Sequence, residues 1–352
     1  MEAFGRKRII TLIALLALVG ALSFCSASFG TYAAVRAPEV LQVLAARIGL
    51  GGGNLEATVQ TTVMDLRLPR VALAILAGAA LAMAGAALQG LFRNPLADPA
   101  LIGVSSGASL GAVFMIVLGG GALGGVVQAL GAFALPVAAM AGAMLVTFLI
   151  YRLSKVEGRT HIALMLLTGL ALNALAGAGI GTMISRSSDD QLRTWTYWSL
   201  GSLGKADWRQ IGVAALFIIP CLIALPWFAR SLNALLLGEA EAHHLGVPIQ
   251  HVKRWVILLS AAMVGAAVAA CGTIGFVGLV APHLVRLVCG PDHRLLLPAS
   301  ALLGSSLLLA ADLAARNGGM GVDELPIGVV TALVGAPVFL ALLLRARRKG
   351  EF

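Results

Sequence analysis

Charge is scarce in this 352-residue chain: Asp, Glu, Lys and Arg make up 12% of it, against roughly 25% in soluble domains. With 59% hydrophobic residues and a mean hydropathy of +0.94, its apolar surface exceeds what one aqueous core can cover. A soluble globular protein is therefore excluded, and lipid has to cover most of the surface. Cysteine is sparse as well. Cys25, Cys221, Cys271 and Cys289 lie in or at the ends of apolar segments, with no C-x-x-C, and read as small packing residues with no disulfide or metal role. The six histidines, His243 and His244 adjacent among them, show no H-x-x-x-H or H-E-x-x-H spacing, so no metal site is expected. A phosphate-binding G-x-x-x-x-G-K-[ST] loop is missing. Its nearest approach, Gly204-Lys205, is followed by Ala206 and preceded by Ser199 where the first glycine belongs. If ATP drives this protein, another chain must hydrolyse it.

What is present is a series of uncharged apolar runs, at 9–29, 71–92, 100–118, 126–151, 162–184, 211–229, 255–271, 277–289, 295–311 and 325–344. Several reach the roughly 20 residues that cross about 30 Å of hydrocarbon at 1.5 Å per residue. The fold class expected is an all-α polytopic membrane protein of about ten transmembrane helices, one domain over 1–352. Ten spans put both termini on one side. With a cytoplasmic start, sixteen of the 25 Lys and Arg but only seven of the 16 Asp and Glu fall on inner segments. Outer segments then balance, and the net charge of +9 lies wholly inside. That is the positive-inside bias, so basicity here reports topology and not affinity for nucleic acid. Arg6, Lys7 and Arg8 before an apolar run resemble a signal peptide, but the run continues uncharged to Phe29, which suits a retained first span. The 42 glycines fit close helix packing in lipid.

Three motifs carry more than composition. Gly103-Val104-Ser105-Ser106-Gly107 matches the G-x-S-x-G nucleophile elbow, but no strand precedes it, and small residues at a membrane helix start explain it better than catalysis. Gly169, Asn173, Gly177 and Gly181 recur at i+4, one stripe down a helix. Such a stripe reads as a close helix contact glued by Asn173, or as a strip facing a pathway. Third is a polar segment at 232–250. Gly238 and Gly246 bracket a helix-sized stretch with Glu239 and Glu241 in its first turn and His243 and His244 near its end. This order complements a helix dipole. Apolar Leu237, Leu245 and Val247 flank those charges on the cytoplasmic side, which suggests a docking surface and not only a solvated loop.

Five blocks occur in order along the chain: Arg67-Leu68-Pro69-Arg70; Gln89-Gly90-Leu91-Phe92-Arg93-Asn94-Pro95-Leu96-Ala97-Asp98-Pro99 running into Gly103-Val104-Ser105-Ser106-Gly107; Leu237-Gly238-Glu239 through Leu245-Gly246-Val247; Gly275-Phe276-Val277-Gly278-Leu279-Val280-Ala281-Pro282-His283; and Glu324-Leu325-Pro326-Ile327-Gly328. Through them the chain closely resembles the permease subunit of type II ATP-binding-cassette importers, the family that moves cobalamin, ferric siderophores and haem. The resemblance implies a homodimer in a bacterial inner membrane, with a path on the two-fold axis lined by the fifth and tenth helices. It implies two cytoplasmic ATPase subunits, which carry ATP and Mg, gripped through Gly238, Glu239, Glu241, Leu245 and Gly246. It also implies a periplasmic binding protein met by Arg67, Arg70 and Arg316, and an inner gate at Asn94 and Leu96. The chain itself would bind no cofactor and act as no enzyme. Asp189-Asp190-Gln191-Leu192-Arg193 with Trp195-Thr196-Tyr197-Trp198 looks most like the haem branch, with siderophore and cobalamin as alternatives; the two tryptophans also suit interfacial anchors of a surface helix. Two other classes compete. An ion-driven carrier needs an ionisable residue in mid-membrane, and the spans hold little beyond His283 and a terminal Asp312. An intramembrane protease needs a serine–histidine pair, and none stands out.

Overall fold

The structure, a computed structural model, describes residues 2–29, 35–47, 49, 56–317 and 324–348. Of the inner basic set, Lys349 and the side chains of Arg6, Lys7, Arg345, Arg347 and Arg348 lie outside that description. The first half of the chain forms α1 (Glu2–Ser28), α2 (Ala37–Arg47), α3 (Ala57–Thr61), α4 (Leu68–Phe92), α5 (Val104–Leu118), α6 (Gly124–Leu130) and α7 (Ala134–Leu153). A hairpin of β1 (Lys155–Val156) and β2 (Arg159–Thr160) follows, turning through Glu157 and Gly158, both at positive φ as a two-residue hairpin loop requires. Then come α8 (Ile162–Ile184), α9 (Asp189–Ser199), α10 (Trp208–Ala224), α11 (Ala229–Leu236), α12 (Glu239–His244), α13 (Ile249–Cys271), α14 (Val277–Cys289), α15 (His293–Asn317) and α16 (Ile327–Arg348).

Among the described residues, seven helical stretches are long and apolar enough to cross a membrane: Arg8–Ser28, Ala57–Phe92, Gly124–Leu153, Ile162–Ile184, Trp208–Leu236, Ile249–Cys271 and His293–Asn317. Three shorter apolar helices, Val104–Leu118, Val277–Cys289 and Ile327–Leu342, fall where the third, eighth and tenth runs were expected. Boundaries differ where charge misleads. The second span starts well before 71, because α3 passes through a π-helical stretch, Thr62–Arg67, straight into α4. Arg67 and Arg70 lie buried within that helix and do not end it. The fourth run is broken at Gly131 into α6, a 3-10 turn and α7. Buried Lys253 lets α13 begin at Ile249, ahead of the uncharged run.

Helix α4 occupies the middle of the bundle: 83% of its most apolar window is buried, against 17% for α8 on the rim. Its neighbours are α10, α13, α14 and α15. Lipid tails are as apolar as leucine, so such helices are held by close van der Waals contact and by interhelical hydrogen bonds such as that from Ser305 to the Ile75 carbonyl. The sequence meets this with small residues: Gly78 abuts Gly304 of α15, and Gly85 abuts Gly278 of α14, so tightly that a Cβ at either place would overlap facing backbone. Outward, Leu167, Leu170 and Leu175 of α8 and Leu216 and Ile223 of α10 stay exposed, as lipid-facing side chains do. The detergent-solubilised Gly304→Leu variant is expected to lose about 1–3 kcal/mol or more of stability, read as a lower melting temperature. Gly212→Leu, with nothing within 4 Å of its Cβ position, is expected to melt like the parent.

Candidate functional site

The polar segment at 232–250 is built around glycine. Gly238 sits at φ +127°, which an L side chain rarely adopts, and lets the chain leave α11 and restart at once as α12. Gly246, at φ +78°, turns it again toward α13. Within this bracket Ala242 is fully buried, whereas Leu237 and Leu245 are each 64% exposed. Two leucines thus stand in water on either side of a charged helical turn. The anchor of the segment is one that composition concealed. Lys253, 2% exposed, donates to the Thr160 carbonyl at 2.9 Å and pairs with Glu239 at 2.7 Å. The Thr160 N–H in turn donates to Gln250 Oε1 at 2.9 Å. One ammonium therefore joins α12, α13 and the β-hairpin, and Glu239 faces partly inward. The Glu241 carboxylate lies against Gly238.

Behind the segment, Asn233 of α11 donates to Asp292 at 2.7 Å and accepts from the His293 N–H at 2.9 Å. Asp292 also pairs with Arg8 of α1. Burial pushes the Asp292 carboxyl up, but the Arg294 N–H, the Asn233 amide and the Arg8 and Arg294 charges outweigh it and hold the group below the ordinary carboxylate range. This contribution to stability is complete above about pH 3.9 and fades as pH falls through the lowered folded value. Asn94 and Leu96 form a compact turn after α4: Asn94 Oδ1 accepts the Leu96 N–H at 2.9 Å, and the Asn94 N–H reaches the Gln89 carbonyl at 3.1 Å. Asn233, Asp292, Thr160 and Lys253 escaped the sequence reading. The available signal was only that Asn and Asp sit at helix ends.

Arg67, Arg70 and Arg316, expected to meet a binding protein, lie together at the end of the bundle where α1 finishes, and are 5%, 8% and 5% exposed, each held by partners within the chain. Arg70 pairs with Asp312 at 2.8 Å and Glu324 at 2.7 Å, and Arg316 pairs with Asp312 and donates to Ser26. Arg67 donates to the Ala27 and Ser28 carbonyls, each at 2.8 Å, and Arg316 to the Ser26 and Phe29 carbonyls. Those carbonyls end α1 and have no partner within the helix, so the guanidiniums cap it and meet its negative dipole end. The cluster clamps α1, α4 and α15 to the stretch before α16. Asp312, fully buried between two arginines, is no lone proton carrier.

The α8 stripe divides. Gly169 packs on the Leu101 carbonyl, and Asn173 bonds the Ser106 hydroxyl and the Ala100 carbonyl, so the inner half is a helix contact. Ser106 also bonds the Gly103 carbonyl, a helix-start role and not a nucleophile's. Gly177 and Gly181 are exposed, with nothing within 4 Å of their Cβ positions. Beside α16, a cavity of about 570 Å³ is lined by Leu200, Thr273, Phe276, Val329 and Leu333. The short helix after α8, expected from its tryptophans, is present as α9 and starts with a reciprocal cap between Ser188 and Gln191.

Breaking a buried ion pair costs about 3–5 kcal/mol, so Arg70→Ala is expected to lower the melting temperature of the purified chain with no other protein present. A variant that melts like the parent would restore Arg70 to a docking role. Lys253→Met is expected to raise backbone hydrogen exchange across 239–253, since the hydrogen-bonded pair is worth about 1–3 kcal/mol. Glu241→Gln should leave exchange there unchanged.

Residues 13–345 match the FecCD transport family. The hemin transport system permease protein HmuU of Yersinia pestis is 46% identical over 295 residues, covering 81% of this chain and 84% of that one. The cobalamin import system permease protein BtuC of Halobacterium salinarum is 43% identical over 286 residues, covering 81% and 74%. A solved structure, described as an inward-facing conformation of a metal-chelate type ABC transporter, superposes with a TM-score of 0.80 at 30% identity, over 95% of this chain and 98% of that one. With the ten apolar helices in place and the family match running almost end to end, the chain belongs to the FecCD transport family and has the fold of an ABC-importer permease.

Proposed function

We propose that this chain is one half of a homodimeric permease that carries haem inward across a bacterial inner membrane, driven by two separate ATPase subunits and fed by a periplasmic binding protein. Both termini face the cytoplasm, where α12 meets the ATPase. The observation that carries the ATP-driven reading is the α12 segment itself. Its exposed Leu237 and Leu245 offer an apolar grip, and Lys253 and Asn233 join that grip to α13 and α15. A push on α12 is thereby passed to the helices that wrap α4. The open half of the α8 stripe, Gly177 and Gly181, and the cavity beside α16 suit a path between two copies. Gating by the Asn94–Leu96 turn follows from its place at the inner end of α4. Haem is favoured as cargo by the hemin permease at 46% identity. Cobalamin is the second reading, supported by relatives at 42–44% named as vitamin B12 permeases.

The test is reconstitution of the permease with its partner ATPase and binding protein in proteoliposomes. ATP-dependent accumulation of haem and not of cyanocobalamin is expected. The reverse preference would replace the cargo, and accumulation by the permease alone under an ion gradient would end the ATP-driven reading. Leu237→Asp with Leu245→Asp should abolish co-purification of the ATPase while the permease melts unchanged; retained association would remove α12 from the coupling role.

A further inference from the structure

A second cavity system lies on the flank formed by α7, α10 and α13. It is separated from the cavity beside α16 by a strip in which the Ser202 N–H donates to the Cys271 carbonyl at 2.8 Å and the Thr273 hydroxyl bonds the Ser199 carbonyl. Its membrane-embedded part, about 270 Å³, is walled by Val137, Met140, Met144, Val213, Phe217 and Ala266 and carries no charged side chain. Its outer part, about 640 Å³, is lined by Arg193, Tyr197, Trp198, Lys205 and Asp207. The two parts share Phe133, Pro136, Gln210, Ala269 and Ala270, so they form one continuous groove running from helix ends into the bundle's flank.

The groove changes chemistry along its length as a phospholipid does. Its inner walls are aliphatic and methionine-rich, and unbranched methionine adapts to a flexible chain. Tyr197 and Trp198 stand at the mouth, where amphipathic rings sit at headgroup level. Two cations and one carboxylate border the mouth. Asp207 is engaged as the cap of α10, accepting the Gln210 N–H at 2.8 Å, while Arg193 lies over the Tyr197 ring at 5.8 Å. Among the described residues neither Arg193 nor Lys205 forms an ion pair. The charge left over is positive, and it is placed above an apolar slot.

We propose that this groove is a binding site for an anionic phospholipid of the outer leaflet. An acyl chain lies along Met140, Met144, Val213 and Phe217, and the phosphate rests at Arg193 and Lys205. The leaflet follows from the orientation proposed above; the binding chemistry is independent of it and of the cargo.

The full-length permease, purified in detergent and stripped of lipid, is titrated with dioleoylphosphatidylglycerol or dioleoylphosphatidylcholine and the bound lipid counted by native mass spectrometry. Phosphatidylglycerol is expected to bind roughly 25-fold tighter, since each of the two basic residues contributes about fivefold near a membrane surface. Arg193→Gln with Lys205→Gln should erase that preference. Ala141→Trp, which projects bulk into the inner part from an exposed position, should weaken both lipids. Equal binding of the two lipids by the parent protein overturns the proposal, as does a preference that survives in the double variant or an Ala141→Trp protein that binds as the parent does. Size-exclusion and melting profiles matching the parent identify the variants that count, and the parent comparison decides by itself if neither folds.

Discussion

Close contact around α4 is the constraint on which the other features rest. A helix buried on all sides in lipid gains little from the hydrophobic effect when it meets its neighbours. It needs many dispersion contacts at short range, each worth only about 0.1–0.2 kcal/mol. Gly78 against Gly304 and Gly85 against Gly278 bring three backbones together, close enough for the Ser305 hydroxyl to donate to the Ile75 carbonyl at 2.9 Å. Because α15 and α14 are held that closely, a displacement at either end is carried along the helix and not absorbed by slack side chains.

Charge closes the bundle at both faces. At one end, Arg70, Arg316, Asp312 and Glu324 form a buried network, while Arg67 and Arg316 finish the carbonyls of α1. At the other, Lys253 and Glu239 tie α12 to α13 and the hairpin. A buried ion is tolerated only where partners surround it, and each of these groups has them. The same economy bears on mechanism. An ionisable group locked between opposite charges does not shuttle protons, which favours the ATP-driven reading proposed above over an ion-driven carrier.

The rim of the bundle is unlike its centre. Helix α8 is anchored at its inner half by Gly169 and Asn173 and left open at its outer half by Gly177 and Gly181. The inner turns of the stripe are thus a helix contact, while Gly177 and Gly181 meet no other part of the chain among the described residues. On the opposite side of the Ser199–Thr273 strip, the groove over α13 presents apolar walls below a basic mouth.

Much of this was legible in the residues. Hydropathy runs give the number and order of the spans because the bilayer imposes one length and one polarity on each of them. Gly238 and Gly246 mark the ends of α12 because a reversal needs positive φ. Charged residues are where the sequence says least. The helices carry Arg70 to acids more than 200 positions away, and Arg67 and Arg316 to the end of α1. Lys253 read as a cytoplasmic charge, yet it is the buried anchor of α12. Local pattern determines which segments become helices and which glycines bend the chain, since those depend on neighbours a few residues away. Whether a charge meets water or a buried partner is decided by which helices pack together, and only the tertiary structure contains that.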